Sequence, residues 1–82
     1  MELSEIVKQI KERWSVSNRK ELIIEFDKAP QYAGSGLEGL VLMGNFLLQL
    51  RQKDLEAYNE IQDLVDEYIK MSLRYNVRFL DA

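Results

Sequence analysis

The feature that most constrains this chain is an uncharged, largely apolar stretch near its centre. No charged residue occurs between Glu38 and Arg51, where the sequence reads GLVLMGNFLLQL. A helix needs about 20 apolar residues to cross a bilayer, so this stretch is too short to do so. It must be buried in another way. We predict that residues 35–52 form the central helix of a small bundle, with the other helices packed around it.

Local signals place the start of this helix at Ser35. Ser35 and Glu38 have the spacing of a capping box, in which the hydroxyl accepts from the N–H of residue 38 and the carboxylate reaches back to the N–H of Ser35. Gly39 and Gly44 each cost about 0.5–1 kcal/mol relative to alanine in a helix interior. Because such glycines usually have a packing reason, we expect another helix to cross near Gly44.

The N-terminal third of the chain contains two further helix patterns. Apolar residues recur at helical spacing over residues 3–14, which predicts a first helix, and Trp14 is expected to cover one end of the core. After a Ser- and Asn-rich turn, residues 19–28 predict a second helix. Asn18 and Glu21 form a weaker capping box at its start.

The remaining segments are a loop, a long helix and a tail. Pro30 ends the second helix, because the residue before a proline is pushed out of the α region, and residues 31–36 are predicted to form a loop. Residues 55–75 predict the longest helix, whose wide apolar face suggests contact with two other helices. Asn76 is expected to end this helix in a left-handed turn. Residues 77–82 then form a short docked tail.

These elements predict an all-α fold, a small antiparallel four-helix bundle. At 82 residues the chain has the length of one domain, residues 1–82. An α+β fold is the alternative, because the sequence ELIIEF also suits a strand. In that alternative, residues 22–26 pair as a strand with residues 76–80, of which residues 76–79 alternate polar and apolar side chains.

Composition narrows the function. The chain contains no cysteine and no histidine, which removes disulfides, thiolate metal sites, the commonest general base and the commonest metal ligand. We therefore expect no metal, no cofactor and no enzymatic activity. The net charge of −3 disfavours nucleic acid as a partner, because phosphate binding requires a basic face. The acidic N-terminus lacks a signal-peptide pattern, so we expect a cytoplasmic protein without a membrane partner.

One glycine pattern has to be weighed against a cofactor site. Gly34, Gly36 and Gly39 match the G-x-G-x-x-G spacing of dinucleotide-binding loops. That motif works only between a strand and a helix of a βαβ unit. Here Pro30 and a polar loop precede the glycines, so we interpret the match as accidental.

The last predicted helix carries a row of carboxylates, which we name the acidic strip. At 100° per residue its members lie opposite the apolar face: Glu56, Glu60, Asp63 and Glu67. Like charges four residues apart destabilise a helix by about 0.2–0.5 kcal/mol per pair. The strip is therefore either a solvated face or a surface that meets a cationic partner. Tyr58 and Tyr75, at the edges of the apolar face, are candidate contact anchors.

Two functions fit these features. A compact, acidic, helical domain is similar in size, charge and helix content to small immunity proteins and nuclease inhibitors, which neutralise a basic toxin by covering its active cleft. That resemblance implies a basic protein partner, held by the acidic strip and the two tyrosines. Replacing Glu60 and Asp63 with lysine should then abolish binding and leave the fold intact. The alternative is a structural adaptor or homodimer, in which the apolar face of the last helix, with Met43 and Phe46, is partly buried between two copies.

Overall fold

The computed structural model of this chain describes residues 1–79, apart from the side chain of Tyr32. Within this range it confirms an all-α, antiparallel four-helix bundle. The helices are α1 (Leu3–Val16), α2 (Lys20–Lys28), α3 (Gly36–Lys53) and α4 (Leu55–Leu73), and a short 3-10 helix (Ala29–Tyr32) joins α2 to α3.

The α+β alternative is wrong for the part of the chain that the structure describes. Residues 22–26 lie inside α2, where Leu22, Ile23 and Phe26 turn towards the core at helical spacing and Ile24 is exposed. Residues 76–79 contain no strand, and residue 80 lies outside the described residues. Helical packing thus outweighs the local β preference of this segment.

The centre of the bundle is α4 and not α3, which corrects the sequence-based expectation. α4 packs extensively against both α1 and α3, as its wide apolar face predicted. Its buried residues occupy every turn: Ala57, Tyr58, Ile61, Leu64, Val65, Tyr68, Met71 and Ser72. A helix with two long neighbours can bury two stripes, and in this bundle α4 takes that position.

One side of α3 is exposed, although its sequence is apolar on most sides. Leu37 and Leu42 are 52% and 37% exposed, and Asn45 and Gln49 are also exposed. The buried positions of α3 lie on the opposite side, where Leu47 contributes to the core. A helix whose central part is uncharged therefore need not be buried on every side in a bundle this small.

Aromatic side chains fill the end of the core near the α1–α2 turn. Trp14 is fully buried, as predicted, and its indole N–H donates to the carbonyl of Ala57 at 3.3 Å. The ring of Phe26 lies 5.7 Å from that of Trp14 and 5.6 Å from that of Phe46. These contacts join α1, α2, α3 and α4 at one end of the molecule.

The start of α3 matches the predicted cap in part. The Ser35 hydroxyl accepts from the Glu38 N–H at 3.2 Å. The Glu38 carboxylate, however, accepts from the N–H of Gly34 at 2.7 Å, one residue earlier than the capping box requires. The weaker box at the start of α2 is wrong. Arg19 is the N-cap there and has no side-chain cap bond, while Asn18 adopts a left-handed φ of 63° in the turn.

The C-terminal segment folds back over α3. Asn76 has a φ of 60°, as expected, and the N–H of Val77 donates to the Ser72 carbonyl at 3.1 Å, closing a left-handed helix end. The ring of Phe79 then lies directly over Gly44, in the space that a Cβ would fill. The neighbour predicted at Gly44 is therefore an aromatic side chain of the tail and not a crossing helix. No helix within residues 1–79 combines the length and apolar character that a membrane crossing requires.

Candidate functional site

Asp63, in the middle of the acidic strip, is bound to a cation of α1. Two guanidinium nitrogens of Arg13 donate to its two carboxylate oxygens at 2.5 and 2.9 Å. Arg13 also donates to the backbone carbonyl of Glu60 at 3.1 Å. The hydrogen bonds from Arg13 lower the pKa of Asp63. This bidentate arrangement holds α1 against α4.

The Glu60 carboxylate accepts more hydrogen bonds than that of Asp63, from Arg19 and Ser17. Arg19, just before α2, donates from Nε and a terminal nitrogen to both carboxylate oxygens at 2.9–3.1 Å. The Ser17 hydroxyl donates to the same carboxylate at 2.7 Å. The bonds from Arg19, then that from Ser17, lower the pKa of Glu60. A weaker contact of 3.6 Å joins Arg19 to Asp54, the N-cap of α4.

We call Arg13, Arg19, Glu60 and Asp63 the arginine clasp. It neutralises the two middle carboxylates of the acidic strip within the molecule. Lysine at either position would face an arginine, so we expect the double substitution to lower stability; whether the fold stays intact remains a prediction. The helical wheel placed these carboxylates on one strip, but it did not show which side chains of other helices reach them.

Glu56 and Glu67, the outer members of the acidic strip, lie outside the arginine clasp. Glu56 is exposed and takes part in none of the salt bridges described for residues 1–79. Glu67 is 3.9 Å from Lys70, three residues later, and both side chains are well exposed. Exposed pairs of this kind contribute little, about 0–1 kcal/mol. The accessible negative charge of α4 is thus smaller than the sequence suggested.

The two candidate tyrosines have opposite environments. Tyr75 is 46% exposed and remains available at the end of α4. Tyr58 is only 6% exposed, which corrects its interpretation as a partly exposed anchor. The reason is that the α3–α4 hairpin turns it inwards, and the Arg51 guanidinium lies 6.0 Å from its ring centre.

The surface predicted for self-association is also occupied within one chain. The apolar face of α4 forms the core, and Met43 and Phe46 are half-buried and pack against that core. The α4 part of the predicted dimer interface is therefore covered within one chain, and self-association itself stays a prediction.

An apolar groove, which the sequence did not indicate, opens between α1 and α3. We call it the α1–α3 groove, and its volume is about 580 Å³. Its main lining side chains are Leu3, Val7, Pro30, Leu40, Met43 and Tyr68. The groove exists because α2 has only 9 residues, half as many as α3 with 18. Beyond the end of α2, the fourth corner of the bundle is only partly covered by the 3-10 helix.

The floor of the groove is fixed by Tyr68. Its hydroxyl donates to the Leu40 carbonyl at 2.7 Å, and burial raises its pKa. Gly39 brings α3 close to the 3-10 helix, since a Cβ there would lie 3.4 Å from Pro30. Gly36, at the mouth, has open space where its Cβ would be.

The described part of the chain has little to hold a metal or nucleotide. Residues 1–79 contain no group of three or more acidic, histidine or cysteine side chains placed to hold a metal ion. In the glycine pattern, the Gly34 N–H donates to Glu38, and no strand precedes it. Family models, curated protein sequences and solved structures give no match to this chain.

Proposed function

We propose that this chain is a protein-binding module that receives an amphipathic helix of a partner protein in the α1–α3 groove. The observation that carries the proposal is the groove itself, an apolar depression of about 580 Å³ where a fourth long helix would lie. Apolar side chains of such a helix would complete the packing that α2 leaves unfinished.

The geometry favours a helix over an extended peptide. At 1.5 Å per residue, α3 is about 27 Å long and α2 only about 14 Å, so about half of this corner lacks a packed helix. An extended peptide that binds by strand addition needs a sheet edge, and residues 1–79 contain no sheet. Leu3, Val7 and Met43 are half-buried and offer the partly exposed apolar surface that a helix could cover.

A substitution at Gly36 tests this proposal without disturbing the core. Gly36→Leu should fit, because nothing lies within 4 Å of the added Cβ, and its side chain would stand at the groove mouth. A library of amphipathic helical peptides is screened against the wild-type protein. Selected peptides should lose affinity for Gly36→Leu and keep it for Gln62→Leu, a matched change on the exposed side of α4.

Chemical shifts locate the bound peptide independently. Amide shifts of the labelled protein should change at Val7, Gly39 and Met43 on addition of a selected peptide. Equal peptide affinities for wild type and Gly36→Leu, with shifts confined to other surfaces, would reject the α1–α3 groove as the binding site.

A basic partner bound through the acidic strip is the second proposed function. It is supported by the exposed carboxylate of Glu56 and by that of Asp66, which lies beside the strip. Both lie outside the ion pairs described for residues 1–79, and the net charge is −3. In this inhibitor-type function, Glu56→Lys and Asp66→Lys should weaken binding of a basic protein at low salt, whereas Gly36→Leu should not.

We also propose that the protein binds its partner without catalysing a reaction. We propose a cytoplasmic location, in keeping with the absence of cysteine.

A further inference from the structure

The exposed side of α3 carries an ordered set of side chains, which we call the outer strip. It consists of Glu38, Leu42, Asn45, Gln49 and Lys53, all exposed. At 3.6 residues per turn these positions fall within an arc of about 80°. Charge occurs only at the ends, acidic near the N-terminus of α3 and basic at its C-terminus. The middle is uncharged, as in the desolvated core of an interface.

Two copies of the outer strip have complementary charges when the two α3 helices run antiparallel. If two copies of α3 pack antiparallel about a two-fold axis near Asn45, Glu38 of each copy lies opposite Lys53 of the other. Leu42 then lies opposite Gln49. A parallel arrangement would instead place like charges together at both ends. The charges therefore favour one orientation, and it is the orientation that a two-fold axis perpendicular to the helix generates.

Leu42 is the apolar side chain of the outer strip. It is 37% exposed in the single chain, so it is available for contact with a second copy. In the antiparallel register the two Leu42 side chains lie on either side of the two-fold axis.

We propose that this chain forms a symmetric dimer through the outer strips of two α3 helices. One helix pair buries less surface than a standard interface, so the dimer is weak and depends on concentration. The groove residues Gly39, Leu40 and Met43 lie on the other side of α3, and the dimer therefore leaves the α1–α3 groove open. A dimer would present two such grooves, which gives a partner with two helices an avidity advantage.

Sedimentation equilibrium of two charge variants tests the dimer and its register. Lys53→Glu and Glu38→Lys each place like charges together twice per dimer and should weaken self-association by about tenfold or more. Mixed in equal amounts, they should associate again, because each Glu then meets a Lys. Lys20→Glu, an exposed change on α2, is the matched control and should dimerise like the wild type. Circular dichroism checks that every variant is folded.

A second variant keeps the test valid if the loss of the Glu38 cap unfolds the chain. Leu42→Asn removes the apolar side chain of the outer strip at an exposed position and should yield a folded monomer. The proposal is overturned if the wild type stays monomeric up to about 1 mM, a concentration at which weak interfaces associate. It is equally overturned if Lys53→Glu or Leu42→Asn dimerises like the wild type, or if the mixture of folded charge variants stays monomeric.

Discussion

Gly44 and Phe79 offer the sharpest test of the packing, because the effect of one substitution should change sign when the other is present. A Cβ at Gly44 would overlap the ring of Phe79, so Gly44→Ala has to displace that ring. The ring also packs 6.5 Å from that of Tyr68. In the wild-type protein the substitution therefore combines a gain in helix propensity with a loss of tertiary packing.

The two contributions can be estimated separately. Alanine stabilises a helix interior by about 0.5–1 kcal/mol relative to glycine. Truncating a fully buried phenylalanine costs about 3–5 kcal/mol, and Phe79 is half-buried, so loss of its packing should cost about 1.5–2.5 kcal/mol. Gly44→Ala should therefore destabilise the wild type by about 1 kcal/mol. In a Phe79→Ala background it should stabilise the protein by about 0.5–1 kcal/mol.

Urea denaturation of the two single variants and the double variant measures this coupling. The double-mutant cycle should give an interaction of about 1.5–2.5 kcal/mol between the two positions. Gly36→Ala, at an open position of the same helix, is the control and should show no dependence on Phe79. If Gly44→Ala stabilises both backgrounds equally, the ring does not lie over Gly44 and the reasoning is refuted.

Three further outcomes are expected. Tyr68→Phe removes the hydrogen bond to the Leu40 carbonyl and should destabilise the protein by about 0.5–1.5 kcal/mol in urea denaturation. Burial raises the pKa of Tyr68, so its contribution to the free energy of unfolding is full below the unfolded pKa of about 10 and is lost as the pH rises above it. Tyr68→Phe should therefore remove this loss of stability at alkaline pH. The arginines lower the pKa of Glu60 and Asp63, so their stabilisation is full above the ordinary carboxyl pKa of about 4 and lost as pH falls below it. Glu60→Gln with Asp63→Asn should flatten the acid limb of a stability–pH curve; an unchanged limb would contradict the clasp.

The sequence predicts the helices well because each depends on local signals. The Ser35 cap and the left-handed Asn76 are where short-range stereochemistry requires them. Pro30 follows the end of α2, but the reason given for it is wrong, because Ala29 before it keeps α-region dihedrals (φ −51°, ψ −43°) and the chain continues as the 3-10 helix Ala29–Tyr32 into the predicted loop. The apolar period also gives the inward face of α4. Boundaries differ by one or two residues: α1 continues to Val16, and α4 ends at Leu73.

The features that sequence reasoning missed depend on contacts between distant segments. Arg13 and Arg19 lie more than 40 positions before the carboxylates that they bind, and a single helical wheel shows no partner from another helix. The α1–α3 groove depends on the shortness of α2, a length that was predicted but whose consequence appears only in the packed bundle. The sequence predicted a close packing neighbour at Gly44, but it did not identify Phe79 as that neighbour.

Charge reversal at the arginine clasp tests the central claim that the middle of the acidic strip holds the bundle together. Glu60→Lys with Asp63→Lys breaks two partly exposed ion pairs and creates like-charge contacts, which should cost about 0.5–2 kcal/mol. For a domain of this size the Tm should fall by about 2–16 °C. Glu25→Lys with Asp66→Lys makes the same change in net charge at two exposed carboxylates outside the ion pairs described for residues 1–79, and should leave the Tm nearly unchanged. Equal Tm values for the two double variants would contradict the account.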